Sequence, residues 1–194
     1  MNDAGLGPDR PVVKPFPEPP RFVVDLMLGS LARWLRILGF DTQFGPDFDD
    51  DALIRTSNAT GRLLLTADRG LVARPAARRS VQLPPSGLDR QWTSLNHALS
   101  LGQWIRPFTR CQVCNVELKP LTRDRARERV PPHVFDSSRS FAECPACRRM
   151  FWPGTHRDLI LNRLGLLRAL PESHADWDRP HDEAAIPRDA SRTI

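Results

Sequence analysis

Cys111-Gln-Val-Cys114 and Cys144-Pro-Ala-Cys147 constrain the fold of this sequence more than any other feature. Each CxxC turn can present two thiolates to one ion, and two such turns supply a complete tetrahedral set of soft ligands. They are separated by 29 residues and are the only four cysteines in the chain. Met1 to Pro20 is rich in proline and charge and has no apolar core of the kind a secretory leader needs. A cytoplasmic location is therefore expected, where close cysteine pairs serve a metal rather than disulfides. Four thiolates leave no open coordination position, so Cys111, Cys114, Cys144 and Cys147 are expected to hold a structural Zn2+ in a module that needs it to fold. A redox dithiol would need only one CxxC, and an iron–sulfur cluster would use the same four ligands; zinc suits the spacing best. His156, soon after the last cysteine, is read as a first-turn helix residue in preference to a ligand or an RNA contact.

The rest of the chain alternates strand and helix patterns. Arg21-Phe22-Val23-Val24-Asp25 is a β-rich run, and Leu26 to Leu38 carries apolar residues at 28, 31, 35 and 38, the spacing of an amphipathic helix. Asp25 can cap that helix, Gly39 fits its C-terminal stop, and Phe40 to Phe44 reads as the next strand. A helix from about Asp50 to Thr60, a stop at Gly61 and the strand Arg62 to Thr66 follow, then a strand over Ser80 to Leu83 and a helix over Leu88 to Leu101. This alternation predicts an α/β domain with a mostly parallel sheet over residues 21–105. Residues 106–170 read as a small zinc ribbon with a final helix from about Thr155 to Leu170. Residues 1–20 and 171–194, proline-punctuated and polar, are expected to be disordered. The most apolar stretch, Phe22 to Phe40, contains Asp25, Arg33 and Arg36, so no membrane span is expected.

A formal net charge of +5 suits an anionic partner such as RNA, and 26 of the 28 basic residues are arginine, whose planar fork fits phosphate. Asp25 ends the first strand and Asp68 follows the third, so both belong at the carboxyl edge of a parallel sheet, where α/β proteins build sites. The loop containing Asp47, Asp49, Asp50 and Asp51 could add a third carboxylate. Three carboxylates suit Mg2+ or Mn2+, hard ions that prefer oxygen and can activate water against a phosphodiester. Helix capping alone accounts for aspartates at such places, and from the residues by themselves it is the stronger reading. Arg33, Arg36 and Arg69 could hold phosphates, although arginines on a helix are more often a solvated face. Trp34 and Trp92 could stack on bases, although at helical spacing they more often belong to a core.

Asp25-Leu-Met-Leu-Gly-Ser-Leu-Ala-Arg-Trp-Leu-Arg-Ile-Leu-Gly39, Gly61-Arg-Leu-Leu-Leu-Thr-Ala-Asp-Arg69, Cys111-Gln-Val-Cys-Asn115, and Cys144-Pro-Ala-Cys147 with Trp152-Pro-Gly-Thr-His156 occur in that order. In these segments, over about residues 21–165, the sequence resembles the Mut-seven C-terminal ribonuclease family. The resemblance implies a PIN-like three-layer α/β/α nuclease domain followed by a zinc ribbon. It implies ribonuclease activity with Asp25, Asp50 and Asp68 as Mg2+ or Mn2+ ligands. Asp50 is preferred within its cluster because the family pattern has an acid three positions before the first apolar helix residue, here Leu53. Related PIN-like proteins often carry a further acid where this chain has Gly70. The expectation is thus a metal-dependent ribonuclease whose ribbon helps grip RNA, with a catalytically inactive nucleic-acid-binding adaptor as the alternative. The sequence does not identify a protein partner.

Overall fold

The computed structural model describes residues 16–152 and Asn162. The expected helix over 155–170, His156, the tail over 171–194 and residues 1–15 of the proline-rich segment lie outside the described residues.

The described chain forms two compact units. The first contains the described residues up to Leu35 with Phe40–Ile105; the second contains Arg36–Gly39 and the described residues from Arg106 onward. The first unit is a mixed α/β domain with four parallel strands, β1 (Phe22–Val24), β2 (Thr42–Gln43), β3 (Leu63–Thr66) and β4 (Ser80–Gln82), in the order β2-β1-β3-β4. Its helices are α2 (Asp50–Thr60), α3 (Arg69–Ala73), α4 (Leu88–Leu99) and most of α1 (Gly29–Ile37). Phe22, Val23 and Val24 are fully buried, and so are Leu64 and Leu65. Neighbouring residues in a strand face opposite sides, so both faces of the central strands are covered. On one face Val23 and Leu64 pack with Leu53 and Ile54 of α2 and Leu71 of α3. Phe22, facing the other way, meets the Phe40 ring edge-on at 5.6 Å.

The expected elements are present with shifted ends. The first helical run opens as a 3-10 turn over Leu26–Leu28 before α1. Residues 28, 31, 35 and 38 are all buried, as the helical spacing requires. Only Thr42 and Gln43 of the predicted strand 40–44 pair with β1. The helix predicted from Leu88 stops at Leu99, where Ser100 takes a left-handed conformation and its N–H bonds to Asn96 O. Helix α3 has no counterpart in the sequence reading. Trp92, weighed as a base-stacking residue, is buried in the core.

At the amino end of the sheet, Arg62 is buried and binds three acceptor atoms on Phe22 and Asp41. Its guanidinium donates to Phe22 O at 3.3 Å, Asp41 O at 3.1 Å and Asp41 Oδ2 at 2.8 Å.

The second unit contains an antiparallel sheet of β5 (Lys119–Leu121), β6 (Phe141–Glu143) and β7 (Met150–Phe151), with β6 in the centre. Between β5 and β6 lie two short helices, α5 (Arg123–Ala126) and α6 (Pro132–Ser137). Ala126, Val130, Val134 and Phe141 form a small core, extended by Leu121, Phe135, Met150 and Trp152. Among the described residues no helix is long and apolar enough to cross a membrane.

Candidate functional site

The two cysteine turns are built alike. Cys111 N donates to Val116 O at 2.8 Å and Asn115 N to Cys111 O at 2.9 Å; Cys144 N donates to Arg149 O at 3.0 Å and Arg148 N to Cys144 O at 2.9 Å. In each turn the residue after the second cysteine has a positive φ, 61° at Asn115 and 62° at Arg148. Cys114 N points at Cys111 Sγ and Cys147 N at Cys144 Sγ. This repeated geometry aims two sulfurs of each turn at one point, and all four sulfurs lie within 4.8 Å of one another.

Four sulfurs at about 2.3 Å from a central zinc stand about 3.8 Å apart along each tetrahedral edge. The Cys111 and Cys147 sulfurs are 3.8 Å apart. All four cysteines are free thiols. They are positioned to bind a metal ion, and the cluster fits a zinc ribbon. Crowding makes the sulfurs unequal. The Cys114 thiol is pushed up to about 12, first by its hydrogen bond with Cys147 and then by burial. Burial also raises the Cys111 thiol. Cys147 is lowered to about 7, chiefly by the backbone hydrogen bond from Arg149. Cys147 collects charge while Cys111 and Cys114 hold their protons more tightly, a conflict that a bound cation removes.

Arg36, expected on a polar helix face, is only 8% exposed. Within the second unit its Nη1 donates to Gln112 O at 3.2 Å and Val113 O at 2.8 Å. These are the two carbonyls between the first pair of cysteines. The guanidinium thus braces a ligand turn, a contact with no local signal in the sequence around Arg36.

At the carboxyl edge of the parallel sheet, the pairing of Val24 with Leu65 brings Asp25 and Thr66 out of neighbouring strands side by side. Thr66 Oγ1 donates to Asp25 Oδ2 at 2.6 Å and accepts from Asp68 N at 3.0 Å. Asp25 Oδ1 also accepts from Met27 N at 3.3 Å, capping the 3-10 turn. Asp68 Oδ1 caps α3, accepting from Gly70 N at 2.6 Å and Leu71 N at 3.3 Å. A Cβ at Gly70 would stand 3.1 Å from that same oxygen, so the glycine leaves room for the Asp68 carboxylate. Thr66 was not singled out by the sequence reading; the parallel register that places it opposite Asp25 was the missing information.

The acidic loop divides its roles. Asp49 is the N-cap of α2 and accepts from Ala52 N at 2.7 Å. Asp50 and Asp51 share Arg74, which reaches Asp50 Oδ2 and Asp51 Oδ1 at 2.8 and 2.9 Å. Asp47 is exposed. Asp25, Asp50 and Asp68 follow β1, β2 and β3, three adjacent strands, and so share the carboxyl edge. Among the described residues, however, the cysteines form the group of three or more possible metal ligands that converges, and the three aspartates do not form another. Arg33 and Arg69 are exposed, Arg69 as the first residue of α3 beside Asp68.

A family model described as the Mut7-C RNAse domain matches residues 20–164, well over half of the 194-residue chain. No curated protein and no solved structure gives a significant match.

Proposed function

The chain belongs to the Mut7-C RNAse domain family, and on that premise we propose that it is a metal-dependent ribonuclease acting at the carboxyl edge of its parallel sheet. One observation carries the reading beyond family membership. Thr66 ties the Asp25 carboxylate to the backbone of Asp68, so two acids from neighbouring strands are held at one edge. Asp25, Asp50 and Asp68 are the proposed ligands; their all-oxygen chemistry suits Mg2+ or Mn2+. When bound, such an ion would activate water and offset charge on the leaving oxygen. The protein's own part is to fix the acids. Thr66 orients Asp25 by its hydroxyl hydrogen bond, and the α3 amides hold one Asp68 oxygen, leaving the other for a cation. Asp50 would have to leave Arg74 to join them. Arg33 and Arg69, exposed and permanently charged, are the proposed phosphate contacts, whereas Arg36 serves the cysteine turn.

In the same reading residues 21–105 are the nuclease domain and 106–170 a zinc ribbon that supplies binding, with Zn2+ at Cys111, Cys114, Cys144 and Cys147 and a cytoplasmic site of action. The test is cleavage of labelled single-stranded RNAs by zinc-loaded protein in Mn2+ or in divalent-free buffer. Mn2+-dependent cleavage supports the reading, and no cleavage of any RNA under either condition rejects it. The second reading, a binding adaptor without catalysis, is favoured by one observation, that Asp50 is engaged by Arg74.

A further inference from the structure

The positive charge of this protein is unevenly placed. In the described residues of the first unit, nine Arg face nine Asp and Glu; in those of the second, eleven Arg and Lys face five Asp and Glu. The unit proposed to cut RNA is therefore electrically balanced, and the excess lies with the cysteine module. Part of that excess is committed to structure. Arg36 braces the first cysteine turn, Arg110 bonds Asn115 O and Glu117, and Arg123 bonds the carbonyls of Phe135 and Ser138.

Four of the other eight, Lys119, Arg125, Arg129 and Arg148, lie around one carboxylate. Glu143, buried in the central strand β6 and adjacent to Cys144, accepts from Arg129 Nη2 at 2.8 Å and lies 2.8 Å from Arg148 Nε. Lys119 is its direct partner across the β5–β6 pair, and opposite residues of an antiparallel pair put their side chains on the same face. Arg125 lies close enough to act on it electrostatically. One negative charge thus holds two cations directly and has two more beside it. Lys119 and Arg125 are both exposed, and the ion pairs of Glu143 are made by Arg129 and Arg148 instead.

We propose that the face centred on Glu143, with Lys119, Arg125, Arg129 and Arg148, is the phosphate-binding surface that holds the RNA backbone. Glu143 fixes Arg129 and Arg148 in place, and the unneutralised cations around it bind successive phosphates. Binding and chemistry are then divided between the two units: the second holds the RNA and the first supplies the acids. A phosphate-driven surface of this kind binds with little sequence preference and weakens steeply as salt rises. That RNA is the ligand rests on the ribonuclease reading above.

The experiment measures binding of a fluorescein-labelled single-stranded RNA by anisotropy, using full-length, zinc-loaded protein carrying Asp25→Asn and Asp68→Asn so that no cleavage intrudes. Two charge-matched pairs are compared in that background: Lys119→Gln/Arg125→Gln in the proposed face, and Arg78→Gln/Arg79→Gln, exposed in the first unit. The proposed pair should weaken binding roughly tenfold or more and lower the slope of log K against log salt by about 1.4, some 0.7 for each lost phosphate contact. The control pair should leave both nearly unchanged. Equal losses from the two pairs, no loss from either, or no salt-sensitive binding by the parent protein would overturn the proposal. Because binding is read separately from cleavage, selective loss in the proposed pair supports this surface even if the wild-type chain proves unable to cut RNA.

Discussion

Thr66 Oγ1 donates a 2.6 Å hydrogen bond to Asp25 Oδ2 from the neighbouring parallel strand. The same oxygen accepts from Asp68 N at 3.0 Å, so a single buried hydroxyl sets both acids of the sheet edge. Thr66→Val keeps the shape of the side chain and removes the hydroxyl. It should cost about 1 kcal/mol of stability and lower kcat for Mn2+-dependent RNA cleavage at least tenfold, while Thr66→Ser should retain most activity. Equal kcat for the valine variant and wild type would separate Thr66 from the site.

The cysteine cluster predicts a stoichiometry. Purified protein should contain one zinc per chain by elemental analysis, and Cys144→Ser or Cys111→Ser should lose it together with the fold of the second unit, read by amide NMR. Metal at wild-type occupancy in either variant would contradict the four-thiolate assignment.

The same cluster predicts a pH dependence with a definite sign. Cys114, pushed up to about 12, holds its proton at neutral pH, whereas Cys147, lowered to about 7, is already partly ionised there. Metal binding must displace the protons that remain, so apparent affinity should rise with pH and fall as the medium is acidified through 7. Chelator competition at pH 6, 7 and 8 measures this; affinity independent of pH would contradict it.

Much of this was legible from residue types and spacing, and the exceptions have physical causes. The CxxC pairs announce themselves because two thiolates on one turn need only local backbone. The edge positions of Asp25 and Asp68 follow from where the apolar runs end. Helical arithmetic placed Arg36 on a polar face, but its partners lie 76 and 77 residues further along the chain, and no local pattern encodes such a contact. Helix α3 is only five residues long and too short to show periodicity; its existence depends on the Asp68 cap. The strand at 40–44 is cut to two residues because pairing to β1, not propensity, decides its length.

Two glycines separate backbone strain from steric conflict. Gly39 has φ +96° and a Cβ there would stand 2.3 Å from Arg106 O, whereas Gly61, at φ +71°, has nothing within 4 Å. Gly61→Ala should cost only the left-handed strain, about 1–2 kcal/mol. Gly39→Ala adds a clash with backbone and should lower the melting temperature considerably further. Equal losses in thermal unfolding would show that the chain relieves the Gly39 contact freely.

Arg62 marks the structural end of the sheet. Its removal takes one donor from the Asp41 carboxylate and from the carbonyls of Phe22 and Asp41, so Arg62→Ala should cost roughly 3 kcal/mol in urea unfolding, in the range for breaking a buried pair. The variant should keep its Mn2+ requirement, since the opposite edge is untouched. A loss below about 0.5 kcal/mol would place this ion pair among surface contacts of little consequence.

The most direct test of the central claim compares the wild-type chain with the Asp25→Asn/Asp68→Asn variant, both zinc-loaded and shown to be folded, on one labelled RNA in Mn2+. The account predicts cleavage by the wild type and its loss in the variant, with RNA binding retained. Cleavage that persists in the folded variant would contradict it, because the reacting groups would then lie away from the carboxyl edge of the sheet.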